Sequence, residues 1–398
     1  MKAAMQHHDH DLAILGGGLA GGLVALALAE MRPDLSVLLV EGGDTFGGNH
    51  IWSFFASDVD YAGQRLTDPL VAHHWQGYDV HFSGHSRTLT TPYRSITSER
   101  LDAHLREKLA ASALITGVNV VAAGPTGFTL ADGRNFSVRG VIDARGAASL
   151  PHMAGGWQKF LGQTLRLASP HGLSRPVVMD ARVEQLDGYR FVYCLPFSET
   201  EVFVEDTYYS DTPHLDRDVL RSRLAAYALA RGWQVEAASR EETGVLPVVA
   251  TGDFNAFWPA GDPLARLGGR AALFHPLTSY SLPTAVRAAL ALAALPDLSG
   301  PALAKASRDI ARRHWQEGAA YRLLARMLFG AATPERRAPI LERFYRLPEP
   351  LIERFYASRT SSADALRIVT GKPPVPIAAA LAALAGRGRP LASLEQAA

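Results

Sequence analysis

Apolar positions near the start of the chain fall into three blocks. Leu12-Ala-Ile-Leu15 is a short continuous run, Leu19 to Ala29 is apolar at nearly every position, and Val37-Leu-Leu-Val40 is a second short run ending on Glu41. Runs of four bounded by turn residues read as buried strands, and the longer block between them as a buried helix. In the turn before that helix, Gly16, Gly18 and Gly21 fill the G-x-G-x-x-G positions. The first glycine permits the tight turn, the second lets backbone N–H groups approach a pyrophosphate, and the third lets helix and strand pack closely. The pyrophosphate would rest on the positive end of the helix. Glu41, twenty residues beyond Gly21, is placed to accept hydrogen bonds from an adenosine ribose. A purely structural glycine turn is the alternative.

Further along, Arg87 to Tyr93 alternates and predicts a strand, and Thr97 or Ser98 caps a helix running to about Ala111. Val118 to Phe136 carries two glycine turns and reads as a hairpin set. Val138 to Ile142 is a strand ending on Asp143. In flavoproteins of the two-dinucleotide-domain type such a strand returns beside the first, and its Asp meets the ribityl chain. Solvent capping of the strand end is the alternative. Residues 151–269 look strand-rich, Ser281 opens a helix with Pro283 in its first turn, and the chain reads helical from Ala302 to Pro373-Pro-Val-Pro376. Glu-Arg-Phe-Tyr recurs at 342 and 353.

Composition narrows the class. Of 398 residues, 47% are hydrophobic and 20% charged, which suits a globular chain with a large core. Cys194, the one cysteine, excludes an internal disulfide, suits a reducing cytoplasm, and sits in an apolar run that reads as core. No apolar stretch is long enough to span a bilayer, and the polar start with His7, His8 and His10 is neither a signal peptide nor an expected metal site. The net charge of +1 argues against nucleic acid. From Pro301 onward, however, 16 Lys+Arg face 8 Asp+Glu, so the basic end is either a solvated helical face or meets an anionic surface.

The opening unit, Asp143 and the late helix together point to one FAD in extended form. The N–H groups at the start of that helix would face the isoalloxazine. NAD alone is the alternative, since one fingerprint serves both nucleotides.

Longer motifs are more specific. Gly47-Gly-Asn-His-Ile-Trp-Ser-Phe54, Phe203-Val-Glu-Asp-Thr-Tyr-Tyr209, Phe274-His-Pro-Leu-Thr-Ser-Tyr-Ser-Leu-Pro283, Arg343-Phe-Tyr-Arg-Leu347 and Gly371-Lys-Pro-Pro-Val-Pro376 occur in order over nearly the whole chain. In these the chain resembles the bacterial lycopene β-cyclase family. Ile51 and Ser279 depart from the family's usual Thr and Gly, with no loss of activity expected. The resemblance implies an FAD-dependent fold and lycopene, a linear C40 polyene with ψ-ends, as substrate. It also implies closure of β-ionone rings without net redox change, with reduced FAD as the active form and NAD(P)H as reductant. The expected cofactor-binding set is Gly16, Gly18, Gly21, Glu41 and Asp143, completed by Gly48, Asn49, His50, Arg100, Pro276 and Ser281.

Cyclisation requires a proton for the terminal alkene, a cation held while the ring closes, and a proton removed afterwards. The acid must be desolvated and neutral, which burial of a carboxyl in an apolar strand achieves. Along 203–208, Phe203, Glu205 and Thr207 share one face and Val204, Asp206 and Tyr208 the other, so one acid at most faces a given pocket. An edge strand with both acids solvated is the alternative. The resemblance puts the family's essential glutamate on Glu205, with Asp206 in catalytic support. It further implies that the reduced, anionic flavin stabilises the cationic transition state. His50 and His275 orient such groups or are structural. Trp52, Phe54, Tyr208 and Tyr209 line a polyene tunnel or are ordinary core.

The expected fold is α/β: a Rossmann-type FAD-binding domain (1–150, resumed at 270–300), an inserted strand-rich substrate domain (151–269) and a helical C-terminal region (301–398). The expected location is cytoplasmic and peripheral, on the inner face of the cell membrane. Entry to the leaflet is expected through Ile340, Leu341, Phe344, Leu351, Ile352 and Phe355, among Arg336, Arg337, Arg343, Arg346, Arg354 and Arg359; packing of these apolar residues inside the protein is the alternative. An FAD-dependent monooxygenase or prenyl-chain reductase, and a non-catalytic flavin-binding protein at a membrane surface, are the rival functions. Oligomeric state is not legible.

Overall fold

The computed structural model describes residues 9–146, 149–370, 377–386 and 388–391. The strand His10–Leu15 runs parallel to Val37–Val40 on one side and to Asn135–Asp143 on the other. Leu114–Ile115 extends the sheet beyond Val37–Val40, and Ala265–Arg266 pairs in parallel with the end of Asn135–Asp143. The helix Leu19–Met31 is buried along most of its length and packs against the late helix Leu282–Ala293. One core thus joins the start of the chain to a segment far downstream. The hairpin set expected at 118–136 is present as Val120–Gly124 and Gly127–Leu130, which lead into Asn135–Asp143.

Two local expectations are corrected. The strand expected over 87–93 is two strands, His85–Leu89 and Tyr93–Thr97, in different sheets. Pro92 lies between them and has no N–H to give a ladder. The helix capped by Thr97, whose hydroxyl accepts from the Arg100 N–H, ends at Lys108 rather than near Ala111.

A second sheet has seven strands in the order Val235–Gly252, Met153–Leu167, Glu201–Ser210, Tyr189–Pro196, Val177–Asp180, Tyr78–Phe82, His85–Leu89. The helix Arg217–Ala230 covers one face, packing with Val202, Val204 and Tyr208. The C-terminal helices cover the other, packing with Phe203 and Tyr209. The alternation read along 203–208 therefore holds, and both faces are buried.

Among the C-terminal helices, Ala338–Phe344 and Glu349–Tyr356 carry the two Glu-Arg-Phe-Tyr repeats, which meet each other. The Tyr345 and Tyr356 hydroxyls lie 2.7 Å apart, and the Phe344 and Phe355 rings 4.6 Å apart. Their glutamates bind the 84–91 segment: Glu342 accepts from the Gly84 N–H and Glu353 from the Thr91 hydroxyl. The expected apolar rim is overturned at Leu351, Ile352 and Phe355, which are at most 4% exposed, and at buried Phe344, while Ile340 and Leu341 are half-buried. Arg337, expected at a headgroup, is fully buried. It donates to the Tyr209 and Leu328 carbonyls and to Asp211 and lies over the Phe329 ring. Gly371–Pro376 and the histidines His7 and His8 lie outside the described residues.

Arg337 ties the C-terminal helices to the sheet, and its loss strands buried acceptors. Arg337→Ala is expected to cost about 3 kcal/mol in urea unfolding. The neighbouring exposed Arg336→Ala should stay within about 0.5 kcal/mol of the parent.

Candidate active site

The glycine turn separates what the chain needs from what a ligand needs. At Gly16, with φ +102°, a Cβ would lie 2.7 Å from the Ala144 carbonyl, and at Gly21 it would lie 2.0 Å from the Gly16 oxygen. Both glycines are demanded by the backbone itself. At Gly18 a Cβ would meet no atom within 4 Å. That open space stands at the start of the Leu19–Met31 helix, where no side chain caps the free N–H groups. A pyrophosphate fits such a place. Glu41 accepts from the Gly17 N–H at 2.7 Å and the Gly43 N–H at 3.0 Å, one on each oxygen. Each oxygen keeps a lone pair for a hydroxyl.

The other residues expected to hold the cofactor divide. Asp143 is 2% exposed, and its two oxygens accept from the Arg145 guanidinium at 2.9 and 2.8 Å, with Arg270 Nε at 3.2 Å. The expected ribityl contact is corrected: this carboxylate is taken up by two arginines and anchors the strand end. Pro276 is also corrected. It is buried, its carbonyl accepts from the Val249 N–H, and it lies off the cavity wall. Arg100 is exposed on the first helical turn, its Nε donating to the Pro69 carbonyl. Gly48 is exposed with φ +63°, and Asn49 donates to the Glu241 carbonyl. His50 and Ser281 both line the central cavity.

That cavity, about 270 Å³, lies between the large sheet, the segment following His50, and the start of the Leu282–Ala293 helix. The helix N-cap, Ser281, makes no capping bond, so its N–H groups are available to a ligand there. The entry to this helix is set by two residues. His275 is buried and accepts from the Leu277 and Thr278 N–H groups at 3.2 Å each. Burial pushes its pKa down to about 3, so the ring is neutral, and it acts as a turn anchor. Ser279 takes a left-handed φ of +57° and donates to the Pro247 carbonyl at 2.8 Å. A backbone of that kind favours glycine, and the hydroxyl bond holds the serine in it.

Glu205 projects into the cavity from Glu201–Ser210. Burial, and then the charge of Glu242, push its carboxyl up to about 8, while the Thr207 hydroxyl, donating to it, acts the other way. Its half-exposed surface is cavity surface, enclosed by the surrounding walls. Beside it a hydroxyl chain runs from Tyr193 to Tyr93 at 2.6 Å and on to Tyr280 at 2.9 Å. Asp206 is corrected as a catalytic group. It is 0% exposed on the opposite face, and the Arg190 guanidinium holds both of its oxygens at 2.7 to 3.0 Å. No substrate in this cavity can touch it.

Trp52 and Tyr209 line the cavity, whereas Phe54 belongs to the core and Tyr208 to the far face, under Lys159 and Arg223. A second chamber of about 260 Å³ shares Met179, Tyr209, Thr278 and Tyr356 with the first; the rest of its lining is apolar, mostly from the C-terminal helices, except for Arg343. Glu242 is the residue that reading the sequence missed. It is 4% exposed, lines the cavity, accepts from the Ile51 N–H at 3.1 Å and faces His50 Nδ1 at 3.0 Å. Its signal was present, since Glu241-Glu242 in a strand is the same pattern as Glu205-Asp206. Cys194 is buried core, as expected. Among the described residues no group of three or more His, Cys, Asp or Glu could hold a metal.

Residues 11–382 match the family described as Lycopene cyclase protein. The chain is 46% identical over 367 residues to a lycopene beta-cyclase of Pseudescherichia vulneris, covering 92% of this chain and 95% of that one. It is 44% identical over 380 residues to one of Pantoea ananas, covering 96% and 99%. A flavin-dependent brominase, Bmp2, shares the fold with a TM-score of 0.59 at 14% identity, over 88% of this chain and 93% of that one.

The glycines supply a test of the cofactor groove. Gly18→Val meets open space, so it is expected to leave the melting temperature near that of the parent while weakening FAD retention. Gly21→Val is expected to destabilise the fold itself by about 3 kcal/mol or more. Flavin absorbance of the purified variants, set beside thermal melts, checks both.

Proposed function

The chain belongs to the lycopene cyclase family, and we propose that it closes β-rings at the ψ-ends of lycopene, passing through the one-ringed γ-carotene to β-carotene without net redox change. One observation carries the mechanism: the Glu205 carboxyl, raised to about 8, stands in a cavity walled by aromatic rings. At neutral pH it is protonated. An alkene is a poor base, and a neutral, desolvated carboxyl is the donor it requires. Glu205 gives its proton to the terminal alkene, and the faces of Trp52, Tyr193 and Tyr209 stand near the charge that develops. The second chamber takes the polyene chain, its walls offering apolar contact and no competing base.

The Gly16–Gly21 turn, Glu41 and the start of the Leu282–Ala293 helix would hold FAD, which in a reduced form kept by NAD(P)H would supply a negative charge favouring the cation. The open space at Gly18 and the uncapped Ser281 support this reading.

Among the described residues no helix is long and apolar enough to cross a membrane. A C40 hydrocarbon is nevertheless confined to the bilayer, and the protein meets it there as a peripheral protein on the inner face. The apolar rim lies on other helices than those of 340–356. Leu366 and Leu381 are each 62% exposed, with Leu323, Val369 and Leu384 near 40%, and Val369 and Leu381 also line the apolar chamber. Arg367, beside Leu366, is exposed as well and reaches toward anionic headgroups.

Glu205→Gln is expected to abolish ring formation from lycopene at normal flavin content. In the parent, activity should hold below about pH 8 and fall as pH rises through it, because the acting form is the protonated one. Asp206→Asn should instead lower stability by about 3 kcal/mol, leaving buried Arg190 without its counter-charge, with turnover per folded molecule little changed. Product chromatography against pH, with urea unfolding, distinguishes these outcomes. For the membrane, Leu366→Glu with Leu381→Glu is expected to reduce flotation with anionic liposomes without altering the thermal melt. Unchanged flotation would place the contact elsewhere.

A further inference from the structure

The Met153–Leu167 strand lies between Glu201–Ser210 and Val235–Gly252. Its Gly162 is in register with Glu205 on one side and with Glu242 on the other. Residues in register share a face, so both glutamates stand on the cavity side, about 10 Å apart at the backbone, which is two strand spacings. Gly162 puts no side chain between them, and a Cβ there would lie 2.3 Å from the Phe203 ring that takes the space.

The two acids have different surroundings. Glu205 is kept neutral by burial and by the negative charge of Glu242. Glu242 is set as an acceptor, against the Ile51 N–H and His50 Nδ1. A buried neutral carboxyl on one strand and a carboxylate already placed as an acceptor two strands away suit the roles of acid and base.

We propose that Glu242 removes the proton that leaves the ring in the last step, with His50 as its link to water. The inference rests on the cyclase reading above. The O–H bond of Glu205 breaks and its proton forms a C–H bond at the terminal alkene. The electron pair of the neighbouring alkene forms the ring C–C bond, leaving a tertiary ring cation. A C–H bond beside the cation then breaks, its electrons become the ring double bond, and its proton goes to Glu242. No electrons are gained or lost. His50, with its side chain 51% exposed, passes the proton on to water, and Glu205 takes one back. Between the two transfers the carboxylate left on Glu205 faces the cavity that holds the cation and favours it.

A fixed base also decides the product. The tertiary cation has three neighbouring carbons bearing hydrogen, and loss of a proton from each gives a different double-bond isomer. The side of the ring that faces Glu242 selects one.

The test uses flavin-loaded parent and Glu242→Gln protein with lycopene in liposomes, reading rate, flavin content and the position of the ring double bond. Glu242→Gln is expected to be slower on the order of a hundredfold, to retain its flavin, and to give a mixture of ring isomers. A single isomer from it, at any rate, overturns the proposal, because a residue that merely holds Ile51 in place does not choose among hydrogens. If that variant does not fold, Glu242→Asp withdraws the carboxylate by one methylene and is expected to give the same mixture; one isomer from it overturns the proposal equally. A parent protein that forms no rings is a failure of the cyclase reading itself, and is told apart on that ground.

Discussion

Raising a carboxyl to about 8 takes the removal of water from it, and Glu205 achieves this only because three distant parts of the chain close over one face of the large sheet. The segment after His50 supplies one wall, residues 278–282 a second, and Tyr356 from the C-terminal helices a third. The adjoining Asp206 is fully buried, and burial raises its carboxyl as well, but a partner there acts the other way. Arg190 meets it with a two-pronged guanidinium, and the pair becomes part of the core. A buried acid is neutral when unpaired and serves as an ion when paired. Adjacent residues therefore have different chemistry because the strand pleat turns them to different faces.

The Leu282–Ala293 helix couples this cavity to the glycine turn proposed to hold the cofactor. Its first residues line the cavity, while its body packs on Leu19–Met31, the helix that starts at Gly18. The turn that aims it is built from groups that satisfy each other: neutral His275 accepting two N–H groups, and left-handed Ser279 bonded to Pro247. The lid over the sheet is fixed in a comparable manner. The two Glu-Arg-Phe-Tyr repeats bind each other through their tyrosines and bind the 84–91 segment through their glutamates. Strand 85–89 belongs to the large sheet, so the lid is fastened to the surface it covers.

Local signals made much of this legible in the sequence alone. The opening strand, turn and helix follow from apolar runs and glycines a few residues apart. The alternation around Glu205 follows from the strand period, which needs no knowledge of distant segments, while the parallel return of Asn135–Asp143 was legible only by likeness to flavoprotein folds. Tertiary structure decided everything that depends on which distant segment arrives at a given face. Asp143 looked free for a cofactor until Arg270, from much later in the chain, closed on it. The apolar residues of 340–356 had the composition of a membrane rim but turn inward, because the repeats have each other and the sheet to bury against. Glu242 carried the same two-acid signature as Glu205. What gave it a place in the cavity was the register of three strands about Gly162, and pairing between strands separated by scores of residues is written in no single stretch of sequence.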